Sequence, residues 1–502
     1  MGASSMLKLL LTHPTEFRTL VQYYLWHKKK RDITDPREHV TSGYDRPSMR
    51  RCWEFLELTG RSYSAVIREL PGDLARIICL YYLVLRALDT IEDDMTIPDS
   101  TKQPLMRTFH TRLTQPGWSF TSSGPNEKDR QLLVEFPAII TELSRLSPAH
   151  LNIITDTTRH MAGGMADYAH LSFKSGKIGL ETMEDLDLYC HYVSGLVGEG
   201  LSRIFAASGK EAEWLSNQVT LSNAMGAILQ KMNILRDFRE DVDGGRLFWP
   251  REIYTSYGFD DPKDMCRPEN LEKALWALSA MTLDALRHAP ACLDYLLLLR
   301  NQGIFNFCAI PQAMAMATLA LCFMNPLVFK QNVRIRKAEA ARLIMNSTNL
   351  RDVAYMFRDY ARVIHAKALP SDPNFVRISV ACAKLEQWCE HHFPSFVLIT
   401  SSFPSSGGGA TTSSRFSPND ARSRIQTSIA KRERQRTMDK RIEEMCAAGR
   451  SNGIWKGEGK VGHARPDATT GEMWLYVGGS FSLVISMSLV VIWVVLRFTR
   501  DG

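Results

Sequence analysis

The sequence predicts an all-α protein, and its pattern of apolar residues is the main reason. Apolar residues recur at spacings of three and four in segments such as 132–146 and 271–287, as expected for one buried helix face. Alternating apolar and polar residues between turn signals, which would indicate strands, are scarce. The chain has 502 residues, of which 45% are hydrophobic and 23% charged, so it is long and apolar enough to bury a large core.

Charge and cysteine content narrow the class of protein. The formal charge of +7 is mild and lies largely in two runs, 27–31 and 430–441, so we expect no nucleic-acid partner. The ten cysteines are scattered without a CxxC pair, which favours reduced thiols in the cytosol. The first residues do not form a convincing secretory signal. Nothing in the sequence identifies a protein partner.

Four regions follow one another along the chain. Residues 1–395 are predicted to form the helical body, and 396–472 a Ser- and Gly-rich linker with a basic segment. Residues 473–496 carry no charge, and a helix of that length spans about 36 Å, enough for a bilayer core of roughly 30 Å. A buried core helix is the alternative, but the linker before it supplies no core. We therefore expect a transmembrane anchor followed by a short tail, 497–502.

Two further segments allow more than one interpretation. The basic run 430–441 would gain roughly 1 kcal/mol per Lys or Arg beside anionic lipid, or it is simply a solvated charge run. The apolar segment 304–324 resembles a second membrane span. Asn306, Gln312 and Pro311 favour instead a kinked, buried helix that lines a cavity.

A first group of acidic residues ends an apolar helix. Residues 77–88 are apolar nearly all round, which indicates a helix buried on every side. Four carboxylates follow at once. At 3.6 residues per turn, Asp89, Glu92 and Asp93 share one helix face, whereas Asp94 points elsewhere.

A second group repeats this spacing. Asp237, Glu240 and Asp241 also stand at i, i+3 and i+4 near the end of an apolar-faced helix, which Gly244 and Gly245 are expected to terminate. Carboxylates near a helix C-terminus are repelled by the macrodipole, so such clusters are costly unless a cation neutralises them.

These clusters suit Mg²⁺, which binds through one or two carboxylates together with waters and substrate phosphates. The alternative for each cluster is a solvated helix end with local partners, such as Arg236 with Glu240 at i, i+4. Two matched clusters, at Asp89 and at Asp237, make coincidence a poor explanation. The sequence therefore predicts a metal and diphosphate site built from both.

Four long segments resemble the hallmark segments of fungal-type squalene synthases, within the squalene/phytoene synthase family. The segments are 83–95, 189–203, 231–250 and 300–320. The resemblance extends over most of residues 10–370. It implies the isoprenoid synthase fold, a single large helical domain around a central cavity, with a C-terminal transmembrane helix.

The resemblance also implies an activity. Two molecules of farnesyl diphosphate would condense head to head to presqualene diphosphate, which NADPH would reduce to squalene, the first committed step of sterol biosynthesis. The enzyme would sit in the endoplasmic reticulum membrane by its single C-terminal anchor, with the catalytic domain facing the cytosol. Two alternatives stay open: a phytoene-synthase-like prenyltransferase without a reductant, and a tail-anchored scaffold without catalysis.

Site residues are carried over from the family position by position. The expected metal ligands are Asp89, Glu92, Asp93, Asp237 and Asp241. The tyrosine matched to proton transfer and the aromatics matched to the pocket wall are Tyr192, Phe305 and Phe307. The arginines matched to phosphates of NADPH or substrate are Arg61, Arg86, Arg236, Arg334 and Arg336. Without the resemblance, Tyr192 is by default a core aromatic with a satisfied hydroxyl, Phe305 and Phe307 are compatible with plain packing, and Arg334 and Arg336 with a solvated helix start.

Overall fold

The structure, a computed structural model, describes residues 9–26, 31–60, 62–175 and 180–395. No strand occurs among these residues, and the predicted all-α class is confirmed. The α-helices are α1 (Pro14–Trp26), α2 (His39–Ser42), α3 (Pro47–Gly60), α4 (Ser62–Arg68), α5 (Leu74–Asp93), α6 (Asp99–Arg112), α7 (Arg130–Val134), α8 (Phe136–Leu143), α9 (Pro148–Ser175), α10 (Met183–Cys190), α11 (Leu196–Ala207), α12 (Val219–Arg236), α13 (Phe238–Asp243), α14 (Arg251–Ser256), α15 (Leu271–Leu286), α16 (Ala289–Leu298), α17 (Gln302–Cys322), α18 (Lys337–Asn346), α19 (Leu350–Lys367) and α20 (Phe375–His392). A π-helical turn, His191–Gly195, joins α10 to α11.

Residues Gln22–Glu390 form one compact unit, and this unit carries the site described below. Met1–Val21 and His391–Gly502 group into a second unit, of which the structure describes only 9–21 and 391–395. The predicted linker, anchor and tail all lie outside the described residues, so their boundaries stay predictions.

Helix α5 is the buried stem that the sequence predicts. Of its 20 residues, 14 are buried, including nearly all of the apolar run before the acidic tip. Arg86 is half-buried, whereas Leu85 and Ala87 on either side of it are buried. The helix ends at Asp93, and Asp94 takes up an extended conformation as its C-cap. Burial of the stem therefore fixes where the carboxylates stand.

Helix α12 lies against six neighbours: α10, the π-helical turn, α11, α15, α16 and α17. It approaches the π-helical turn closely at Gly226, where a Cβ atom would overlap the backbone carbonyl of Ser194. The Ser194 hydroxyl donates a hydrogen bond to the Gly226 carbonyl at 2.9 Å. Glycine at this position lets the π-helical turn sit directly on α12.

A buried ionic cluster also holds α10 to α12. Lys231 of α12 has a side chain only 1% exposed. Its ammonium group donates to Asp187 of α10 and, at 2.5 Å, to Asp284 of α15. Arg287 contacts both carboxylates as well. Burial, together with the nearby Lys231 charge, lowers the pKa of His288 to about 3, so this imidazole is a neutral member of the cluster.

Helix α17 is long and apolar enough to cross a membrane, but 83% of its apolar window is buried inside the protein. A core helix of a soluble protein meets the same criteria of length and composition. The prediction of a buried helix for this segment is confirmed. Gln312 helps to seat it, because its amide nitrogen donates to the Met225 carbonyl of α12 at 2.8 Å. Pro311 lies within the helix, as the sequence indicates.

The apolar face predicted over residues 132–146 is present, but two helices carry it. Helix α7 ends at Val134 and α8 begins at Phe136. The break has a local cause: Pro137 has no N–H to donate to the Leu133 carbonyl, so the helical ladder cannot continue. The five apolar residues of the predicted face are nevertheless buried: Leu132, Phe136, Ile139, Leu143 and Leu146.

Glu142 is a fully buried carboxylate that joins α8 to the start of α3. It accepts hydrogen bonds from Arg46 at 3.0 Å (Nε) and 2.6 Å (Nη2), and from the Ser48 hydroxyl at 2.5 Å. Burial acts to raise the pKa of Glu142, but the hydrogen bonds from Arg46 and Ser48 outweigh it and hold the pKa below 4.5.

We expect Glu142→Gln to lower the free energy of unfolding at pH 7 by about 3 kcal/mol, because it leaves the Arg46 charge without its partner. A lowered carboxyl pKa contributes stability that is fully present above the unfolded value of 4.5 and is lost as the pH falls through the folded pKa. The difference between the two proteins, measured by urea unfolding, should therefore shrink below pH 4.5.

The control is Glu54→Gln, which removes a carboxylate whose side chain is 48% exposed and paired with Arg51. This change should cost less than about 1 kcal/mol. A loss at Glu142 as small as that at Glu54 would contradict the assigned role.

Candidate functional site

The first carboxylate cluster stands at the end of α5, with mutual repulsion only partly relieved. The Asp89 side chain is 39% exposed and that of Asp93 is 47% exposed. Burial of its carboxyl group and the neighbouring Asp93 raise the pKa of Asp89 to about 7. Burial, Asp93 and Asp89 raise the pKa of Glu92 well above its usual range. These groups would gain from a nearby cation.

Asp94 lies off this face, as the helical spacing predicts. Its side chain is buried and accepts hydrogen bonds from the Thr96 amide (2.9 Å), the Thr96 hydroxyl (2.6 Å) and the Gly124 amide (2.8 Å). Burial alone would raise the pKa of Asp94, but these bonds outweigh it and the pKa is lowered. Asp94 therefore fixes the loop that follows α5.

The second cluster lies on two consecutive helices, whereas the sequence predicts one. One helix was expected to continue to Gly244, but α12 ends at Arg236 and α13 begins at Phe238, with Asp237 between them. The Asp241 amide still donates to the Asp237 carbonyl at 3.0 Å, so the i, i+4 relation survives the break. Gly245, with φ of 72°, follows the end of α13.

Asp241 is the most enclosed carboxylate of this cluster for which an ion pair is seen, with 13% of its side chain exposed. Burial, together with the charges of Asp237 and Glu240, raises the pKa of Asp241 to about 7, although Arg246 acts in the opposite direction. The second cluster thus shares the electrostatic property of the first: carboxylates held close together without full compensation.

Arg246 brings the two clusters together. One of its terminal nitrogens lies 3.0 Å from Asp93 and the other 3.5 Å from Asp241. The ends of α5 and α13 therefore face each other within the span of one guanidinium group. Sequence reasoning missed Arg246, although it is the first cation after the glycine pair that ends α13.

A recess beside the first cluster combines charged and aromatic residues. Lys102 of α6 is buried there, and its ammonium group donates to the Glu92 carbonyl at 2.6 Å, at the negative end of the α5 dipole. Burial lowers the pKa of Lys102. Aromatic walls complete the recess, namely Tyr168, Tyr189 and Phe248.

The residues present fit Mg²⁺ in a particular way. Among the described residues, no group of three or more Asp, Glu, His or Cys side chains is gathered closely enough to hold a metal ion alone. Mg²⁺ does not need such a cage, because it binds through one or two carboxylates together with waters and substrate phosphates. Two facing clusters with raised carboxyl pKa values meet that requirement.

Arg86 and Arg236, two of the predicted phosphate-binding arginines, lie within the clusters themselves. Arg86 donates to Asp129 at 2.8 Å (Nε) and 2.5 Å (Nη2), and its remaining nitrogen lies 3.4 Å from Asp89. Arg236 binds Asp237 through two hydrogen bonds, of 2.8 Å and 2.5 Å. Asp129, which holds the Arg86 fork, is a second residue that sequence reasoning missed.

The other three predicted arginines differ in their relation to the carboxylate clusters. Arg334 is exposed and donates to the Asn332 side-chain oxygen at 3.3 Å. Asn332 in turn contacts the second cluster, so Arg334 lies close in space to acids that are remote from it in sequence. Arg336 is exposed at the N-cap of α18. Arg61 lies outside the described residues.

Tyr192 stands in the π-helical turn, next to α9. A Cβ atom at Gly164 of α9 would overlap the Tyr192 ring, so this glycine makes the space for it. The centroid of Tyr168, which lines the recess, lies 6.5 Å from that of Tyr192. The neighbouring His191 is hydrogen-bonded to Asn223 of α12 at 2.9 Å, so its ring helps to hold the π-helical turn against that helix.

Phe305 and Phe307 are both buried in α17, each with 7% of its surface exposed. Residues two apart on a helix point in nearly opposite directions, so the two rings face different neighbours. Phe307 packs edge-on against Phe205 at 6.0 Å, which is an ordinary core contact. That Phe305 and Phe307 line the substrate pocket stays a prediction.

Comparison with known proteins supplies the family. The squalene/phytoene synthase family model matches residues 56–339. Squalene synthase of Ganoderma lucidum is 57% identical over 455 residues, which cover 89% of this chain and 96% of that protein. Squalene synthase of Schizosaccharomyces pombe is 50% identical over 379 residues, covering 76% and 81% respectively.

Solved structures agree on the fold. The structure described as the complex of TcSQS with ligand E5700 is 38% identical in sequence, with a TM-score of 0.65. The match covers 68% of this chain and 98% of that one. The helical architecture is that of the isoprenoid synthase fold. The chain therefore belongs to the squalene/phytoene synthase family, and within it to the squalene synthases of fungal type.

Proposed function

We propose that the two facing carboxylate clusters form the Mg²⁺-dependent diphosphate site of a squalene synthase that uses NADPH as reductant. The activity itself, that of a farnesyl-diphosphate farnesyltransferase in sterol biosynthesis, follows from the family. The observation that supports the site is that the Arg246 guanidinium contacts both Asp93 and Asp241. The two clusters are therefore no farther apart than one guanidinium group can span.

The chain's own residues suit the first half-reaction, the condensation of two farnesyl diphosphates to presqualene diphosphate. Bound between the clusters, Mg²⁺ would supply a Lewis acid that neutralises charge on the departing diphosphate. The forks of Arg86 and Arg236 are already engaged by Asp129 and Asp237, so these arginines would offer phosphate oxygens their remaining N–H groups. Apolar and aromatic walls exclude water from the allylic cation, and aromatic faces attract it. We assign to the Tyr192 hydroxyl, which lies in the π-helical turn beside the recess, the task of taking or returning the proton.

The second half-reaction needs a hydride, which NADPH would supply. The described residues contain no strand and hence no strand–turn–helix dinucleotide motif, so the cofactor must be held in another way. Arginines that bind its phosphates are the simplest means. Arg334 and Arg336 are both exposed, and Arg334 is hydrogen-bonded to Asn332 beside the second cluster, which makes these two arginines the preferred pair.

The relatives favour this reading over the alternatives. A phytoene-synthase-like enzyme would share both acid clusters but need no reductant, whereas the matched curated proteins are squalene synthases. A scaffold without catalysis would have no reason to keep carboxylates crowded at an energetic cost. For location, we propose an endoplasmic reticulum enzyme that is anchored by residues 473–496 and faces the cytosol.

One prediction separates the metal face from the loop. Asp89→Ala and Asp93→Ala should each reduce diphosphate release by ~100-fold or more, with little change in melting temperature. Asp94→Ala should instead lower the free energy of unfolding by about 1–3 kcal/mol, because the Thr96 and Gly124 donors lose their acceptor. The folded fraction should retain its activity.

Exposed Asp260 provides the control, and Asp260→Ala should change neither quantity. The measurements are released diphosphate per folded molecule and thermal unfolding by circular dichroism. Greater loss of activity per folded molecule at Asp94 than at Asp89 would contradict the assigned faces.

A second prediction concerns the reductant. Without NADPH, a cyclopropyl C30 diphosphate should accumulate while squalene disappears, as read by mass spectrometry. The double variant Arg334→Ala, Arg336→Ala should behave in the same way at limiting NADPH and recover when NADPH is raised. Loss of the first half-reaction at every NADPH concentration, or an unchanged squalene yield at limiting NADPH, would show that these arginines do not serve the cofactor.

A third prediction concerns the anchor. A protein that ends near residue 395 should remain in the soluble fraction and still convert farnesyl diphosphate in detergent, because the proposed anchor only tethers. The full chain should sediment with membranes after the same lysis. Failure of the shortened protein to fold, judged by circular dichroism, would show that later residues are part of the folded body.

A further inference from the structure

Asn332 occupies a short segment between the 3₁₀ turn Pro326–Phe329 and α18. Its neighbour Val333 is buried, whereas Asn332 is half-buried and Arg334 is exposed. The buried valine holds the segment against the protein. Asn332 and Arg334 stand on the same side of the segment, because their side chains are hydrogen-bonded to each other.

The Asn332 amide nitrogen is shared by two carboxylates of the second cluster. It donates to Asp237 at 2.5 Å and to Glu240 at 2.8 Å. A side-chain amide has two N–H donors, so both are used. The amide carries no net charge, and its effect on these acids is therefore mainly one of orientation.

The Asn332 amide oxygen accepts from Arg334 Nε at 3.3 Å. Only one orientation of the amide satisfies these contacts. Reversal would place its oxygen against the carboxylates of Asp237 and Glu240, and its N–H groups against a guanidinium that can only donate. The surroundings thus hold the amide in one position, with the arginine on one side and the acids on the other.

We propose that Asn332 is a positioning residue that couples Arg334 to the second carboxylate cluster. The inference rests on the proposed function, in which this cluster binds a divalent cation and Arg334 binds the cofactor. Because coupling between two binding sites is reciprocal, a cation at the cluster alters cofactor affinity by the same factor as the cofactor alters cation affinity. Asn332 provides the direct link between them.

The test is a double-mutant cycle on cation affinity, with Mn²⁺ as the probe and electron paramagnetic resonance as the readout. Asn332→Ala should weaken Mn²⁺ binding by about 5-fold or more. Arg334→Gln should also weaken it, because the amide loses the group that orients it. Removal of a positive charge alone predicts the opposite, tighter binding. The double variant should be no weaker than Asn332→Ala.

Gln331→Ala, at the exposed neighbouring position, is the matched control and should leave Mn²⁺ affinity unchanged. Each variant should unfold at the wild-type temperature, since the change is local. Tighter Mn²⁺ binding in Arg334→Gln, or strictly additive losses in the double variant, would overturn the coupling.

A fluorescence titration with NADPH completes the test. Mn²⁺ should shift the NADPH dissociation constant of the wild-type protein, and the shift should disappear in Asn332→Ala. A shift that persists in Asn332→Ala overturns the inference alone. Mn²⁺ affinity that is unchanged in Asp237→Ala and Asp241→Ala would instead show that the cluster binds no cation, and both the proposed function and this inference would fail.

Discussion

Repulsion among carboxylates governs the arrangement of the site. The acids at the ends of α5 and α13 cannot move apart, because the helices that carry them are buried along their stems. Cationic side chains at the edges of the clusters reduce this repulsion. The clearest example is Arg246, which forms ion pairs with both Asp93 and Asp241. Compensation stays incomplete, as the raised pKa values of Asp89 and Asp241 show. A site left short of positive charge is suited to divalent cations.

Away from the site, the buried charges of Lys231 and Glu142 are compensated by partners of opposite charge or by hydrogen bonds. Lys231 has both of its carboxylate partners, and Glu142 has Arg46 and Ser48, so these buried charges are satisfied within the fold. Such groups favour one packing of the helices over others, because leaving any partner alone is costly. Unrelieved repulsion among carboxylates is thus found at the functional site, whereas the buried charges of Lys231 and Glu142 are paired.

Features that depend on residues close together in the sequence are predicted better than contacts between residues far apart in it. Helical periodicity predicts the buried stem of α5 and the burial of α17, since an apolar face is read from residues within a few turns. It also predicts that Asp94 leaves the face of Asp89 and Asp93, but not the Gly124 amide, 30 residues away, that holds it. The helix breaks at Asp237 and before Pro137 are local as well, but periodicity overlooks them because the apolar face continues across the break.

The contacts that join the clusters to each other and to Asn332 could not be predicted from the sequence. Arg246 and Asp93 are 153 residues apart in sequence, and Asn332 and Asp237 are 95 apart. No local pattern specifies such pairs. Resemblance to a family directs attention to Arg334 and Arg86, yet it does not reveal that Asn332 and Asp129 hold them. Those roles require the tertiary structure, because they arise only where separate helices meet.

The burial of α17 has a consequence for synthesis of the chain. Its neighbour α19 ends at Lys367, some 45 residues after α17 ends at Cys322, so the ribosome delivers the apolar helix before its cover. At roughly 5–20 residues per second, this leaves a delay of seconds. During that time, α17 would present to the cytosol a segment that membrane-insertion machinery and chaperones recognise by hydrophobicity alone. Helix α12, which is synthesised earlier and also packs against α17, is the element available to shorten this exposure.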